Sequence, residues 1–259
     1  MPSLDTLDAD NTFHRLLYVG ESGAGKTGSL ISLVEAGYKV RMIDLDNGFG
    51  ILRQLVKRQC PDKAKNVGIV SFRDKFKANV SGVQVVGSPR AFIDTLNALD
   101  KWPDDETDPA TWGSEYILVL DSLTQLGRSA YAWNDKLNPT VKDKRQVFYS
   151  AQQDVLKVLQ NLTAESFQTN VIVCTHLQFN ESETKAFPTA IGKALGKEIP
   201  ALFNNYVLAD SRGSGEKVRR IIRTSTDGVV GLKNEKPFDL DLELPLETGL
   251  ATIFEQLKG

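Results

Sequence analysis

The sequence predicts an α/β protein with a mostly parallel central sheet, flanking helices and a C-terminal β-hairpin. Three observations predict it. Residues 16–19 are short, apolar and β-prone; they run into Gly20-Glu21-Ser22-Gly23-Ala24-Gly25-Lys26-Thr27, after which apolar residues recur at helical spacing to Ala36, with Gly37 placed as a C-cap. Residues 116–120 and 171–174 are strand-length, unalternating apolar runs that end in polar groups, as strands buried on both faces do. Helical patterns lie between these runs, the alternation that builds parallel sheets.

With 259 residues and 41% of them apolar, the chain can bury one substantial core. That core is expected over 13–235, after a polar arm at 1–12 and before a tail with a short helix at 236–259. A net charge of −2 gives no global basic field, so any nucleic-acid contact needs local patches. Cys60 and Cys174 stand far apart with no CxxC, which implies a reducing compartment and no metal cluster. The apolar runs are too short to span a bilayer, and no membrane contact is expected; the expected location is the cytoplasm.

The stretch 20–27 fits G-x-x-x-x-G-K-[ST], the phosphate-binding loop, between a strand and a helix. Gly20, Glu21, Ser22, Gly23, Ala24, Gly25 and Gly28 would bring backbone N–H groups around phosphate. Lys26 can reach the β- and γ-oxygens, and the Thr27 hydroxyl can ligate Mg²⁺. A bound nucleoside triphosphate, ATP, is the expectation.

The second strand, 38–43, ends in Asp44-Leu45-Asp46-Asn47-Gly48, and carboxyl ends of strands are where open α/β sheets place ligands. An EF-hand is excluded, because the glycine offset is wrong and Leu55 stands at the closing Glu position. The plainer use of these carboxylates is to cap the next helix. A helix at 49–58 and a strand at 66–72 come next; 73–88 supports no assignment. A helix at 89–102 presents Phe92, Leu96 and Leu99 on one face, and 103–113 is an acidic surface insertion. The strand at 116–122 delivers Asp121 beside the phosphate site as a Walker B carboxylate and second Mg²⁺ ligand.

The residues directly after Asp121 narrow the class. A GTPase would need Gly at position 124, which is Thr, and no N-K-x-D occurs. Ser122 stands where AAA-type and helicase proteins usually carry Glu, so the water-activating carboxylate has to come from another strand end. Asp46 is the candidate, with Asp44 behind it. Residues 123–146 read as a loop in which Tyr131, Trp133, Lys136, Lys142, Lys144 and Arg145 could stack bases and hold phosphates, or form an ordinary amphipathic segment with a buried Trp. A long helix at 147–164 leads to the strand 170–176, which ends in His176, a candidate γ-phosphate sensor. Residues 177–197 read as a long functional loop with three lysines and no arginine, unlike the arginine-rich lid of a small-molecule kinase. A helical turn at 199–203, a strand at 206–209, a hairpin of 217–224 with 229–233 around Thr226-Asp227-Gly228, and a helix at 246–257 complete the chain.

With these residues in place, the chain resembles the RecA-fold ATPases, and among them phage-encoded ATP-binding proteins, some of which act in single-strand annealing and recombination. The resemblance spans about 13–235 and rests on the loop at 20–27, Asp44-Leu45-Asp46, Leu118-Val119-Leu120-Asp121-Ser122, Cys174-Thr175-His176 and Gly231-Leu232-Lys233-Asn234. It implies that Asp46 takes the place of the catalytic glutamate, one methylene shorter, and that His176 is the sensor. It further implies that 126–145 and 177–197 are two loops for single-stranded DNA. Lys233 would reach ATP bound by a neighbouring subunit of a homo-oligomer, although Glu235 replaces the family's Arg; Arg219, Arg220 and Arg223 are alternatives. The other reading is an ATP-dependent switch or scaffold with little turnover and no role on DNA.

Overall fold

The structure is a computed structural model that describes residues 13–80, 82–182, 184–213, 215, 218–226 and 228–258, so the arm expected at 1–12 lies outside the described residues. The chain opens with β1 (Arg15–Gly20), two short turns of helix, α1 (Lys26–Ser29) and α2 (Ile31–Glu35), then β2 (Lys39–Asp44), α3 (Phe49–Gln59) and β3 (Val67–Ser71). The unassigned 73–88 stretch holds a hairpin of β4 (Phe76–Asn79) and β5 (Gly82–Val85). Its strands are nearly all exposed, which is why they leave no core-facing pattern in the sequence. Next come α4 (Ala91–Asp100), β6 (Gly113–Asp121), α5 (Leu123–Leu137), α6 (Lys144–Thr163) and β7 (Thr169–Thr175). The remainder is β8 (Leu177–Phe179), β9 (Ala186–Pro188), α7 (Lys193–Glu198), β10 (Asn205–Arg212), β11 (Arg219–Arg223), β12 (Glu243–Pro245) and α8 (Leu246–Leu257).

Eight strands form one sheet in the order β12-β11-β10-β1-β7-β6-β2-β3. From β10 to β3 all neighbours are parallel; β11 runs antiparallel to both of its neighbours. Every residue of β1 and β7 is buried, as expected for central parallel strands covered on both faces. Alternate residues feed two cores. Leu17, Val19, Leu118, Leu120, Val171 and Val173 face α4, α5 and α6, while Leu16, Tyr18, Ile117, Val119, Ile172 and Cys174 face α2, α3 and α8. Cys174 is plain core.

Four expectations change. Residues 123–137 are helical rather than a loop: Leu123, Leu126, Gly127, Ala130 and Asn134 make a buried stripe at helical spacing, and Ser122 caps it by accepting the Gln125 N–H at 3.4 Å. Interspersed aromatic and charged residues hide that stripe in the sequence. The 177–197 segment is not a plain loop, since it contains β8, β9 and α7. The hairpin is made of other strands: β11 pairs with β10 and β12, whereas Val230 and Lys233 make only isolated bridges to Ala186 and Tyr206. Finally, the tail is integrated. β12 extends the sheet, and α8 buries Leu246, Leu250, Ile253, Phe254 and Leu257 in the second core.

Candidate nucleotide site

The phosphate loop turns over the carboxyl end of β1, where the parallel register brings Gly20 opposite Ala209 of β10. A side chain on Gly20 would begin 2.7 Å from the Ala209 carbonyl oxygen, so only glycine lets the two backbones close. Gly25 has φ +98°, a conformation that favours glycine, and a side chain there would begin 2.5 Å from Leu246 Cδ2, which would have to move aside. The buried Lys26 ammonium donates to the Gly20 and Glu21 carbonyls at 2.8 and 3.1 Å, holding it along the loop. Burial lowers its pKa, since a desolvated ammonium favours its neutral form.

Thr27 Oγ1 donates to Asp121 Oδ2 at 2.7 Å, so the two expected Mg²⁺ ligands, one from the start of α1 and one from the end of β6, meet. The space before them is kept open by Gly48: a side chain there would begin 3.0 Å from Thr27 Oγ1 and 3.5 Å from Asp121 Oδ2. One hydroxyl, one carboxylate and open room suit Mg²⁺, which keeps water ligands and takes the rest from phosphate. Asp121 is nearly fully buried, and desolvation raises its pKa to about 6 despite the Thr27 hydrogen bond and nearby Lys26. A cation opposite it would restore the charged form.

The two carboxylates after β2 divide their roles. Asp44 is fully buried, accepting from the Gly48 N–H at 2.8 Å and the Ser71 hydroxyl at 3.2 Å; it holds the turn into α3. Asp46 reaches the cleft. Its Oδ2 accepts from Ser122 Oγ at 2.9 Å and lies 3.3 Å from His176 Nε2. The His176 contact, with hydrogen bonds from Ser122 and Gln125, lowers the Asp46 pKa to about 2.

Lys26, Thr27, Asp46, Asp121 and His176 therefore line one cleft of about 780 Å³, together with Ser22, Gly23, Gly25 and Gly28. Its walls are Ile51, Leu55 and Gln59 of α3 on one side and Arg220, Leu246, Glu247 and Thr248 on the other. Gly20 supports the loop from beneath and Glu21 lends its carbonyl to Lys26, while Ala24 is buried under it. Lys233 stands apart from this cleft. It bonds Tyr206 at the amino end of β10, pinned there by Glu235, which accepts from Asn204 and Asn205 at 2.7 and 2.9 Å. Motif and spacing do not single out Ser122 and Gln125 as partners of Asp46; their one sequence signal is a place directly after the Asp121 strand.

Fold and site together define a P-loop nucleotide-binding protein with a mostly parallel α/β core. Residues 12–234 match the model of an AAA-domain family, and the chain belongs to that family. No curated protein matches the sequence. Among solved structures, a KaiC-like protein of the hyperthermophilic archaeon Pyrococcus horikoshii is similar at 14% identity and TM-score 0.42, covering 81% of this chain and 77% of its own. The flagellar accessory protein FlaH of Methanocaldococcus jannaschii is similar at 9% identity and TM-score 0.44, covering 91% and 87%. A type III secretion ATPase of pathogenic bacteria is similar at 13% identity and TM-score 0.44, covering 76% of this chain and 51% of its own. These likenesses are slight and say nothing of function. Among the described residues no helix is long and apolar enough to cross a membrane.

Proposed function

We propose that the protein binds MgATP in this cleft and hydrolyses it, with Lys26 and the loop amides on the phosphates, Thr27 and Asp121 holding Mg²⁺, and Asp46 orienting the attacking water. Bound Mg²⁺ would neutralise charge on the phosphate oxygens. The observation that carries the reading is the Asp46 carboxylate, placed in the Lys26–Thr27–Asp121 cleft and held there by Ser122 and His176.

The nucleotide would govern a second surface that holds single-stranded DNA. A groove of about 600 Å³ lies between α5, α6 and residues 189–192, lined by Arg128, Tyr131, Lys144, Arg145 and Phe148. Tyr131 and Phe148 form an edge contact with ring centres 6.2 Å apart, an apolar wall on which a base can stack. Trp133 faces the other way, toward α4. Hydrogen bonds join the two sites. The His176 carbonyl accepts from the Thr189 N–H at 2.7 Å, and Thr124 and Thr175 both donate to the Thr189 carbonyl. Thr124 and Thr189 line the groove, and His176 lines the cleft. Lys144 and Arg145 are paired with Asp135 and Asp143, which leaves a modest local charge and favours weak, salt-sensitive binding.

One observation favours the switch or scaffold. A carboxylate held near 2 is a poor proton acceptor, which favours slow turnover. ATP hydrolysis measured with and without single-stranded DNA, with Lys26→Ala as the blank, separates the two. DNA-stimulated turnover lost in the blank supports a DNA-dependent ATPase of phage-type recombination; ATP binding without turnover in either condition supports the switch.

A further inference from the structure

The cation expected over the nucleotide is Lys233 of a neighbouring subunit, with three arginines as alternatives; the fold separates those arginines. Arg223 is buried and its guanidinium lies 3.5 Å from Asp210. Arg219 and Arg220 are successive residues of β11 and point to opposite faces of the sheet. Arg220 shares its face with Ile222, which is fully buried and packs beside Gly249 of α8. Its register partner is Ser211, two residues past the Ala209 that pairs with Gly20, so Arg220 projects beyond the sheet's carboxyl edge, over the phosphate loop. Its Cδ lies 3.6 Å from where a side chain on Gly25 would begin, and it lines the same cleft as Lys26 and Thr27. Among the described residues it makes no ion pair. The other charged groups on that rim, Glu35 and Glu247, would repel a phosphate.

We propose that Arg220 is a nucleotide-binding residue of the same chain, whose guanidinium closes over the β-phosphate cradled at Gly25, the group that a nucleoside di- and triphosphate share and a monophosphate lacks. The stem lies along Gly25 and Leu246, and the fork has the planar donors that match phosphate oxygens. Nucleotide capture then needs one subunit, and only turnover would call on a second. The inference rests on the reading of the cleft as a nucleotide site.

Calorimetric titration of the full chain with MgADP, MgATP and AMP tests it, using wild type, Arg220→Gln, Arg220→Lys, Arg219→Gln and Lys26→Ala. Arg220→Gln is expected to weaken MgADP and MgATP alike by about 10- to 100-fold, the range for a lost charge-assisted bond, and to leave AMP unchanged. Arg220→Lys should recover part of the loss, and Arg219→Gln, which removes the same charge from the other face, should bind as wild type. Equal losses in Arg219→Gln and Arg220→Gln would reduce the effect to a general field and overturn the proposal. So would wild-type affinity in Arg220→Gln, a loss confined to MgATP, or a loss seen only at protein concentrations where the chain self-associates. No binding by wild type would overturn the nucleotide reading itself, an outcome distinct from all of these.

Discussion

Ser122 and His176 both meet one oxygen of Asp46, and the resulting pKa of about 2 against an ordinary 3.8 is also a statement about stability. Because the folded value lies below the unfolded one, the contribution is fully present above about pH 4 and is lost as pH falls through 2. With the side chain 21% exposed, its size is on the order of 2 kcal/mol. The stability difference between wild type and Asp46→Asn, from urea midpoints, should fall by about half between pH 5 and pH 3. A difference that stays flat to pH 3 would show that the bonds to His176 and Ser122 do not favour the charged form. At this scale the sequence put Asp46 first and Asp44 behind it by position, but did not contain the contacts that separate the two. They are two residues apart; one turns inward to Gly48 and Ser71, the other outward to the cleft.

At the scale of elements, α8 decides whether the C-terminal region is appendage or core. Leu250, Ile253 and Phe254 are fully buried, Phe254 stands edge-on to Tyr38, and Leu246 seals the outer side of Gly25. Phe254→Ala should cost about 3–5 kcal/mol in a denaturant titration, whereas Glu255→Ala, exposed on the next position, should stay within about 0.5 kcal/mol. Equal, small effects would mean that the helix is a tail. The terminal helix was legible because its apolar residues recur at helical spacing, and its place in the core was not, because periodicity tells which face is buried and not against what. The same limit hid α5. Its stripe ends in Asn134, a polar residue that is buried because it bonds the Ala130 carbonyl and Asp154, so a count of apolar residues misses it.

For the whole molecule, Lys233 sits at the opposite end of β10 from the cleft, bonded to Tyr206. A group so placed can serve catalysis only on a neighbouring subunit. Lys26→Ala and Lys233→Ala, each inactive alone, should therefore regain part of the ATP hydrolysis when mixed, because one supplies an intact lysine at 233 and the other an intact loop. Turnover per chain should also rise with protein concentration. A mixture as inactive as its components, or full activity in Lys233→Ala, would remove Lys233 from the reaction and leave Arg220 as the cation over the nucleotide.

The sequence alone determined the α/β class, the phosphate loop, the Asp121 strand and the continuous apolar runs of the central strands, because each is encoded locally: backbone conformation, spacing and period act over a few residues. Tertiary structure alone decided the strand order, which places β7 between β1 and β6 and so brings His176 to Asp46 across 130 residues of chain. It likewise decided that β11 pairs with β10, which carries Arg220 to Gly25, and that Lys233 is kept away from the cleft. Those outcomes depend on which apolar faces meet and on which backbones can approach, and no short window of sequence contains both partners of such a contact.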